Sequence, residues 1–159
     1  MSVANILGIY VASAKGAGMI GHQKVSVRAG KGIEGDRYFS QTGKNRSNYK
    51  GQPDWEITLI ESEVIEAFNQ EKGHNFHDSD FRRNLVTNGV RLNDLVGRYF
   101  IINNVSFYGV QLCEPCAGLQ RRLAVSILPE LVGKGGLRAQ IRSNGVIGVG
   151  DQLTPVEKI

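Results

Sequence analysis

Three turn signals between short runs of β-forming residues constrain the fold of this chain more than any other feature. The pairs Asn88-Gly89, Asn103-Asn104 and Asn144-Gly145 each lie between two runs rich in branched and aromatic side chains. Asn tolerates a positive φ and Gly adopts one freely, so each pair predicts a two-residue β-hairpin. The composition agrees, because 20 of the 159 residues are glycine and only 4 are proline, which favours a β domain with many tight turns.

The remaining patterns complete a mainly β, barrel-like fold. An apolar stripe between Ser62, which can cap a helix, and Gly73, which can end one, predicts the clearest helix. A shorter helix is expected directly after Cys116, and Pro129 fits the first turn of a third short segment. Further strands are predicted at residues 6–11, 25–28 and 56–60. The length indicates a single domain over residues 1–159, with two or three short helices around the strands.

The composition also excludes several classes of protein. With 41% hydrophobic and 21% charged residues, the chain is not intrinsically disordered. Its net charge of +4 is spread over scattered Lys and Arg residues, without a basic helix face. This charge indicates first a soluble protein with a slightly positive field, and a pocket for an anionic ligand is the alternative. We expect a small-molecule or cofactor ligand and no nucleic-acid partner. Residues 2–14 are too short to span a bilayer, and no Lys or Arg precedes them as in a secretion signal. Two cysteines cannot staple a domain of this size, so we expect a cytoplasmic protein without a membrane partner.

A glycine motif at residues 30–35 has the G-x-G-x-x-G spacing of a dinucleotide-binding fingerprint. Such a site also needs a helix that opens at the last glycine, within a β-α-β unit, and no helical apolar period follows here. Residues 39–54 hold few apolar side chains and instead predict a long exposed loop. We interpret the motif as a turn that orients Asp36 and Arg37.

The sharpest chemical signal is Cys113-Glu114-Pro115-Cys116, between a predicted strand and a predicted helix. Unpaired N–H groups at a helix N-terminus favour a thiolate, the form that ligates metal, carries sulfur or attacks a substrate. A structural zinc site is disfavoured, because it needs four ligands and there is no second cysteine pair. A thioredoxin-like redox pair needs a β-α-β setting. Both cysteines could also be small buried apolar residues, and the residues alone leave these alternatives open.

Two further segments could contribute to a binding site. Arg82, Arg83 and Asn84 begin a predicted strand, a rigid position from which arginine can bind phosphate through two hydrogen bonds. The alternative is a pair of surface arginines on a basic protein. Gly135 and Gly136 would let the backbone approach a ligand closely, or would form a plain loop.

An ordered set of short motifs resembles the MOSC domain family, named for the C-terminal domain of molybdenum cofactor sulfurase. The motifs follow the order of the family at similar spacing and extend over nearly the whole chain, so the sequence resembles a short, stand-alone member of the bacterial type. They are Gly-Ile-Glu-Gly-Asp-Arg at 32–37, Phe-Arg-Arg-Asn-Leu-Val at 81–86, Gly-Val at 89–90, Leu-Val-Gly at 95–97, Cys-Glu-Pro-Cys at 113–116, Gly-Gly at 135–136 and Val-Gly-Asp at 149–151.

The resemblance implies a barrel-like, strand-rich fold and one cysteine in a sulfur or molybdenum role. That residue corresponds to Cys116, while the position of Cys113 varies in the family. Members with bound molybdenum cofactor use the cysteine as a metal ligand, and an Arg-x-Asn pattern holds the pterin and its phosphate. Arg82 and Asn84 match this pattern, and Arg37 would add charge to the same pocket.

The resemblance also implies two activities and their partners. In one, a molybdenum site at Cys116 reduces N-hydroxylated bases or similar N–O compounds, and a reductase is the partner protein. In the other, Cys116 carries persulfide sulfur, and Cys113 resolves it as a disulfide. Pyridoxal phosphate is then expected only through a partner desulfurase. The family often has His after the Gly-Asp-Arg triplet, where this chain has Tyr38.

Two other classes of function remain open on the sequence. A thiol–disulfide oxidoreductase would need both Cys113 and Cys116. A non-catalytic binder of an anionic ligand would need Arg82 and neither cysteine.

Overall fold

The computed structural model describes residues 3–40 and 48–157, which form short strands joined by tight turns and short helices. The strands are β1 (Asn5–Val11), β2 (Ile20–His22), β3 (Lys24–Arg28), β4 (Gly32–Ile33), β5 (Asn48–Tyr49), β6 (Gln52–Pro53), β7 (Ile57–Glu61), β8 (Leu85–Asn88), β9 (Tyr99–Ile102), β10 (Val105–Leu112), β11 (Leu137–Ile141), β12 (Gly145–Gly148) and β13 (Leu153–Pro155). The α-helices are α1 (Arg37–Ser40), α2 (Ser62–Lys72), α3 (Ala117–Leu123) and α4 (Leu128–Leu131), and 3-10 helices lie at Asp78–Phe81 and Leu92–Leu95.

Eight strands form one curled sheet in the order β13-β9-β10-β11-β7-β8-β1-β2, and β12, β3 and β4 form a smaller sheet. Pairing in the large sheet is antiparallel except between β7 and β8. Apolar side chains of both sheets share one core, which includes Ile6, Val27, Phe107 and Ile147. Burial of each such side chain contributes about 1.5–3 kcal/mol relative to exposure. The predicted mainly β, barrel-like fold is confirmed.

A second apolar cluster joins the helices to the sheet. Ile60 of β7 and Val86 of β8 pack against Ile65 and Phe68 of α2, and Leu119 of α3 belongs to the same cluster. Leu119 is 6% exposed, so the helix that follows Cys116 is fixed to the sheet by its own apolar side chain.

One of the three predicted hairpins is correct. β9 and β10 pair across Asn103 and Asn104, whose φ angles are 46° and 66°. The other two predictions are wrong. A 3-10 helix follows Asn88-Gly89, and β8 pairs with β1 and β7. A strand does follow Asn144, but β12 begins at Gly145, one residue before the predicted start, and it pairs with β3. The strands predicted at residues 6–11, 25–28 and 56–60 correspond to β1, β3 and β7 within one residue.

The predicted helices are present, but the N-cap of one was misplaced and one further short helix was not predicted. α2 ends at Gly73, whose φ is 67°, but its N-cap residue is Glu61, so the prediction of Ser62 as the cap is wrong by one position. α3 begins directly after Cys116, and α4 carries Pro129 in its first turn. The four-residue helix α1 was not predicted, because it is too short to show an apolar period.

The glycine motif at residues 30–35 is a turn, as interpreted from the sequence. Its first residues turn the chain after β3, and the motif itself contains β4, which pairs antiparallel with β3. Gly32 has a φ of 134°, and a Cβ there would lie 2.9 Å from the carbonyl oxygen of Glu56. The loop predicted at residues 39–54 contains the short β5–β6 hairpin, and its residues 41–47 lie outside the described residues. Within 3–40 and 48–157, no helix has the length and apolar character needed to cross a membrane.

Candidate functional site

Cys116 lies between the end of β10 and the start of α3. It is the N-cap residue of α3, and the backbone N–H of Leu119 donates to its Sγ at 3.4 Å. Cys116 is exposed. Gly118 leaves room beside the sulfur, since a Cβ at that position would lie 3.7 Å from Sγ. The sulfur is therefore both accessible and supported by a main-chain donor, which a reactive cysteine requires.

Cys113 is the buried member of the pair, with 2% of its surface exposed. Its carbonyl oxygen accepts from Arg83 Nη2 at 3.1 Å, and its N–H donates to the Gly136 carbonyl oxygen at 2.8 Å. Arg83 also donates from Nε to the Gly135 carbonyl oxygen at 2.9 Å and from Nη1 to that of Phe81 at 3.1 Å. Arg83 thus joins three main-chain segments and holds the loop that carries both cysteines.

The strands around this motif differ from those of a thioredoxin-like site. β10 pairs antiparallel with both β9 and β11, so the motif does not lie within a β-α-β unit. Both cysteines are free thiols.

A cavity of about 540 Å³ opens beside Cys116. Six of its lining residues are cationic and none is acidic: Lys15, Arg37, Arg82, Arg83, Arg122 and Arg138. The other lining residues are Gly16, Tyr38, Trp55, Cys116, Gly118 and Leu119. A concave surface lined by one sign of charge concentrates ligands of the opposite sign, so this pocket is built for an anion.

Arg82 supplies charge to the pocket from a left-handed backbone position, with φ at 60°. Its Nη1 donates to the carbonyl oxygen of Ala17 at 2.7 Å, and its own carbonyl oxygen accepts from Arg37 Nη2 at 3.1 Å. Burial, followed by the neighbouring charges of Arg122 and Arg37, lowers the pKa of Arg82 below its usual value. A cation that is crowded by other cations gains stability when an anion enters.

Asn84 lies outside the pocket lining and is fully buried. Its Oδ1 accepts from the backbone and hydroxyl of Thr58, and its Nδ2 donates to the Tyr10 carbonyl oxygen and to Asp36 Oδ1. Asp36 in turn pairs with Arg37 Nη1 at 3.1 Å. The amide of Asn84 is thus used within the protein, and it positions Arg37 through Asp36. The structure does not bring Asn84 to the pocket surface, where a residue that holds a phosphate would lie.

The two glycines have a similar internal role. Gly135 and Gly136 are buried. A Cβ on Gly135 would overlap the Cys113 carbonyl oxygen, and one on Gly136, whose φ is 114°, would overlap that of Leu59. The close backbone approach expected at these positions is to the chain itself, and it lets the loop of Cys113 pack against β7.

Tyr38, Trp55 and Arg138 form one wall of the pocket. The rings of Tyr38 and Trp55 are 6.2 Å apart, and the Arg138 guanidinium lies over the Trp55 ring at 5.9 Å. The Tyr38 hydroxyl oxygen accepts from Arg37 Nη2 at 3.1 Å. Burial acts to lower the pKa of Arg138, but the Cys113 thiol, the Tyr38 hydroxyl and Asp54 together raise it above its usual value.

The pocket suits a cofactor that carries an anionic group and a metal, provided that the protein needs to supply only one of the metal ligands. No cluster of three or more His, Cys, Asp or Glu side chains capable of holding a metal ion occurs in the described part of the chain. Cys116 offers one thiol ligand, while the surrounding arginines offer phosphate-binding donors. One thiol beside several cations suits a ligand that combines an anionic group with a thiol-binding metal whose other ligands the protein does not supply.

The structure brings together Arg37, Arg82 and Cys116 of the residues predicted from sequence. It places Asn84, Gly135 and Gly136 behind the pocket wall. Lys15, Trp55, Arg122 and Arg138 were not predicted as site residues, and Tyr38 was noted only where the resembled family often has His. Arg138 carried the best available signal, since it lies between the apolar Leu137 and Ala139 in a predicted strand.

Comparisons with known proteins identify the family and agree with the fold. The family model "MOSC domain" matches residues 46–154. The crystal structure of the YuaD protein from Bacillus subtilis superposes with a TM-score of 0.82 at 18% identity, covering 99% of this chain and 98% of that one. YiiM from Geobacillus stearothermophilus gives a TM-score of 0.72 at 20% identity, with coverages of 97% and 75%. YiiM from Escherichia coli gives 0.70 at 18% identity, with coverages of 98% and 71%. These likenesses show the fold. No protein of curated function matches the chain.

Proposed function

Since this chain belongs to the MOSC domain family, we propose that its pocket binds the molybdenum cofactor, with Cys116 Sγ as the protein ligand of the metal. The observation that carries this proposal is the accessible Cys116 thiol in a cavity lined by six cations and no acid. In this role Arg82 and Arg122 bind the phosphate of the pterin, since they are the arginines whose mutual repulsion an anion relieves.

The bound cofactor would supply two electrons for cleavage of an N–O bond, with a reductase protein as their source. In the reaction proposed, an N-hydroxylated base takes up two electrons and two protons and yields the parent amine and water. The residues of this chain bind and orient the cofactor and the substrate and enclose them in the pocket. Trp55 and Leu119 offer apolar surfaces to a substrate ring, and Arg83 holds the cysteine loop in place.

Sulfur carriage by Cys116 is the second candidate function. It is supported by the exposure of Cys116 together with the main-chain N–H that Leu119 donates to Sγ, because a donor of this kind stabilises a sulfur anion. A partner desulfurase would load the sulfur, and its pyridoxal phosphate would stay with that partner. Both candidates place the protein in a reducing, cytoplasmic compartment, where free thiols persist.

Elemental and mass analysis of protein purified without reductant tests both candidates. Cells replete in molybdenum cofactor should yield protein with bound molybdenum, and Cys116→Ser should remove it. Cys113→Ser is the matched control and should keep the metal, since the buried Cys113 does not line the pocket. Sulfur carriage predicts instead a mass gain of one sulfur atom on Cys116.

Two other results would replace the proposal. Equal damage from both cysteine variants in a disulfide-exchange assay would indicate a thiol–disulfide oxidoreductase. Anion binding that survives both cysteine variants, in protein without metal or extra sulfur, would indicate a non-catalytic binder.

A further inference from the structure

The charge of the pocket exceeds what one cofactor phosphate requires. Arg37 is paired with Asp36, and Arg83 donates to three main-chain carbonyl groups. Lys15, Arg82, Arg122 and Arg138 are the other cations among the described lining residues, and the buried Asp54 balances part of the charge of Arg138. A phosphate monoester carries about −1.5 to −2 at neutral pH, so positive charge is left over for a second anion.

Part of this charge lies on the wall formed by Tyr38, Trp55 and Arg138. The largest charge effects on Arg82 come from Arg122 and Arg37, whereas Arg138 interacts with Cys113, Tyr38 and Asp54. Arg138 Nη1 is buried and has no hydrogen-bond partner in the described part of the chain. A buried guanidinium nitrogen without an acceptor is costly, and a ligand oxygen that the side chain can turn towards removes this cost.

The Tyr38 hydroxyl group has a proton to donate into the pocket. Its oxygen accepts from Arg37 Nη2 at 3.1 Å, and Arg138 is its second hydrogen-bond partner. A guanidinium group has donors only, so neither partner can accept the hydroxyl proton. Because Tyr38 is half-buried and lines the cavity, a ligand that enters the cavity can accept this proton in place of solvent.

We propose that Tyr38, Trp55 and Arg138 form a second subsite, which binds the oxyanion of a planar, negatively charged substrate. The hydroxyl of Tyr38 and the guanidinium of Arg138 bind the oxyanion, and the Trp55 ring stacks on the planar part. This inference rests on the proposed function for the source of the first anion, and it names the class of substrate that the same pocket takes.

Trp55 provides the readout, because it is the only tryptophan of the chain. Its fluorescence is followed as purified protein is titrated with benzoate, with its neutral analogue benzamide, and with inorganic phosphate. Benzoate should change the emission saturably, and benzamide should bind at least about tenfold more weakly, as expected when a charged hydrogen bond is lost. Tyr38→Phe and Arg138→Gln should each weaken benzoate about tenfold or more. Arg122→Gln should weaken phosphate more than benzoate.

Matched controls separate loss of binding from loss of structure. Tyr99→Phe and Arg142→Gln change the same residue types outside the pocket, where the Arg142 guanidinium lies 5.9 Å from the Tyr99 ring. Both should bind benzoate like the parent protein. Circular dichroism and thermal unfolding of each variant establish that it is folded.

Three outcomes overturn the inference. Equal affinity for benzoate and benzamide would show that charge is not recognised. Unchanged benzoate binding in folded Tyr38→Phe and Arg138→Gln would place the anion elsewhere. Loss of molybdenum from these two variants would assign the subsite to the phosphate of the cofactor. Conversely, selective benzoate binding in protein that never contains molybdenum would overturn the proposed function and leave the subsite standing.

Discussion

Arg82 and Arg83 are adjacent in sequence, yet the structure predicts opposite consequences for their replacement by methionine. Arg83 is 8% exposed and donates three hydrogen bonds to main-chain carbonyl groups. Arg82 is partly buried, donates to one carbonyl group and is repelled by two other arginines. Methionine keeps the length and most of the volume of either side chain while it removes the donors and the charge.

The magnitudes follow from these bonds. A hydrogen bond from a charged donor contributes roughly 1.5–3 kcal/mol, so Arg83→Met should lower the free energy of unfolding by roughly 4–6 kcal/mol after discount for non-additivity. For a chain of this size that corresponds to a fall in Tm of roughly 10–20 °C. Arg82→Met should cost below about 1 kcal/mol, because relief of repulsion offsets the single lost bond.

Urea and thermal unfolding measure the free energy of unfolding of both variants. Titration with phosphate, followed by Trp55 fluorescence, measures their ligand binding. We expect Arg83→Met to be destabilised but, while folded, to bind phosphate. Arg82→Met should be as stable as the parent protein and bind phosphate at least about tenfold more weakly. The reasoning is refuted if both variants lose equal stability, or if Arg83→Met keeps its stability and loses phosphate binding.

Three further predictions each concern a single position. Gly136→Ala should abolish stable folding, because its Cβ would overlap a main-chain oxygen. Gly133→Ala is the matched control: its φ is also positive, but nothing lies within 4 Å of the added carbon, so it should lower the free energy of unfolding by only about 1 kcal/mol. Comparable unfolding midpoints for the two variants would contradict this prediction. In the native protein, iodoacetamide should alkylate Cys116 and spare Cys113, which should react only in denaturant, as mass spectrometry of the two peptides will show; rapid native labelling at both positions would mean that the loop opens. Burial raises the pKa of Glu61 above the ordinary value for glutamate, so the folded state binds this proton more tightly than the unfolded state. Stability should therefore fall as pH rises from about 4.3 through the raised pKa. Glu61→Gln should flatten that part of the stability–pH curve, and an unchanged slope would show that other groups control it.

Two of the predicted turns show what local sequence patterns can and cannot predict. At Asn103-Asn104 the two residues adopt the positive φ angles that close a hairpin, and the flanking strands are each other's neighbours. At Asn144-Gly145 the glycine does begin a strand, but that strand pairs with β3, more than a hundred residues earlier in the chain. A turn pair indicates where the chain changes direction. The partner with which the following strand pairs depends instead on which apolar faces share the core.

At the candidate site, too, local sequence patterns predict some features and only the tertiary structure decides the others. The pattern of strand, Cys-Glu-Pro-Cys and helix was sufficient to predict Cys116 at the start of α3, but it left open whether the cysteine is buried or accessible. It was not sufficient to separate the role of Arg82 from that of Arg83, because only the tertiary structure shows which side chain meets main-chain carbonyls and which meets the cavity. Asn84 illustrates the converse, since a motif match suggested ligand binding and the structure uses its amide for internal hydrogen bonds.

Sequence alone determined the class of fold, the principal helices and the position of Cys116 at a helix N-terminus, because each depends on backbone preferences and apolar periodicity within a few neighbouring residues. Tertiary structure alone decided the chemistry around that sulfur. Lys15, Trp55, Arg122 and Arg138 come from four separate segments, and their meeting around one cavity is a product of long-range strand pairing and core burial, to which no local pattern is sensitive.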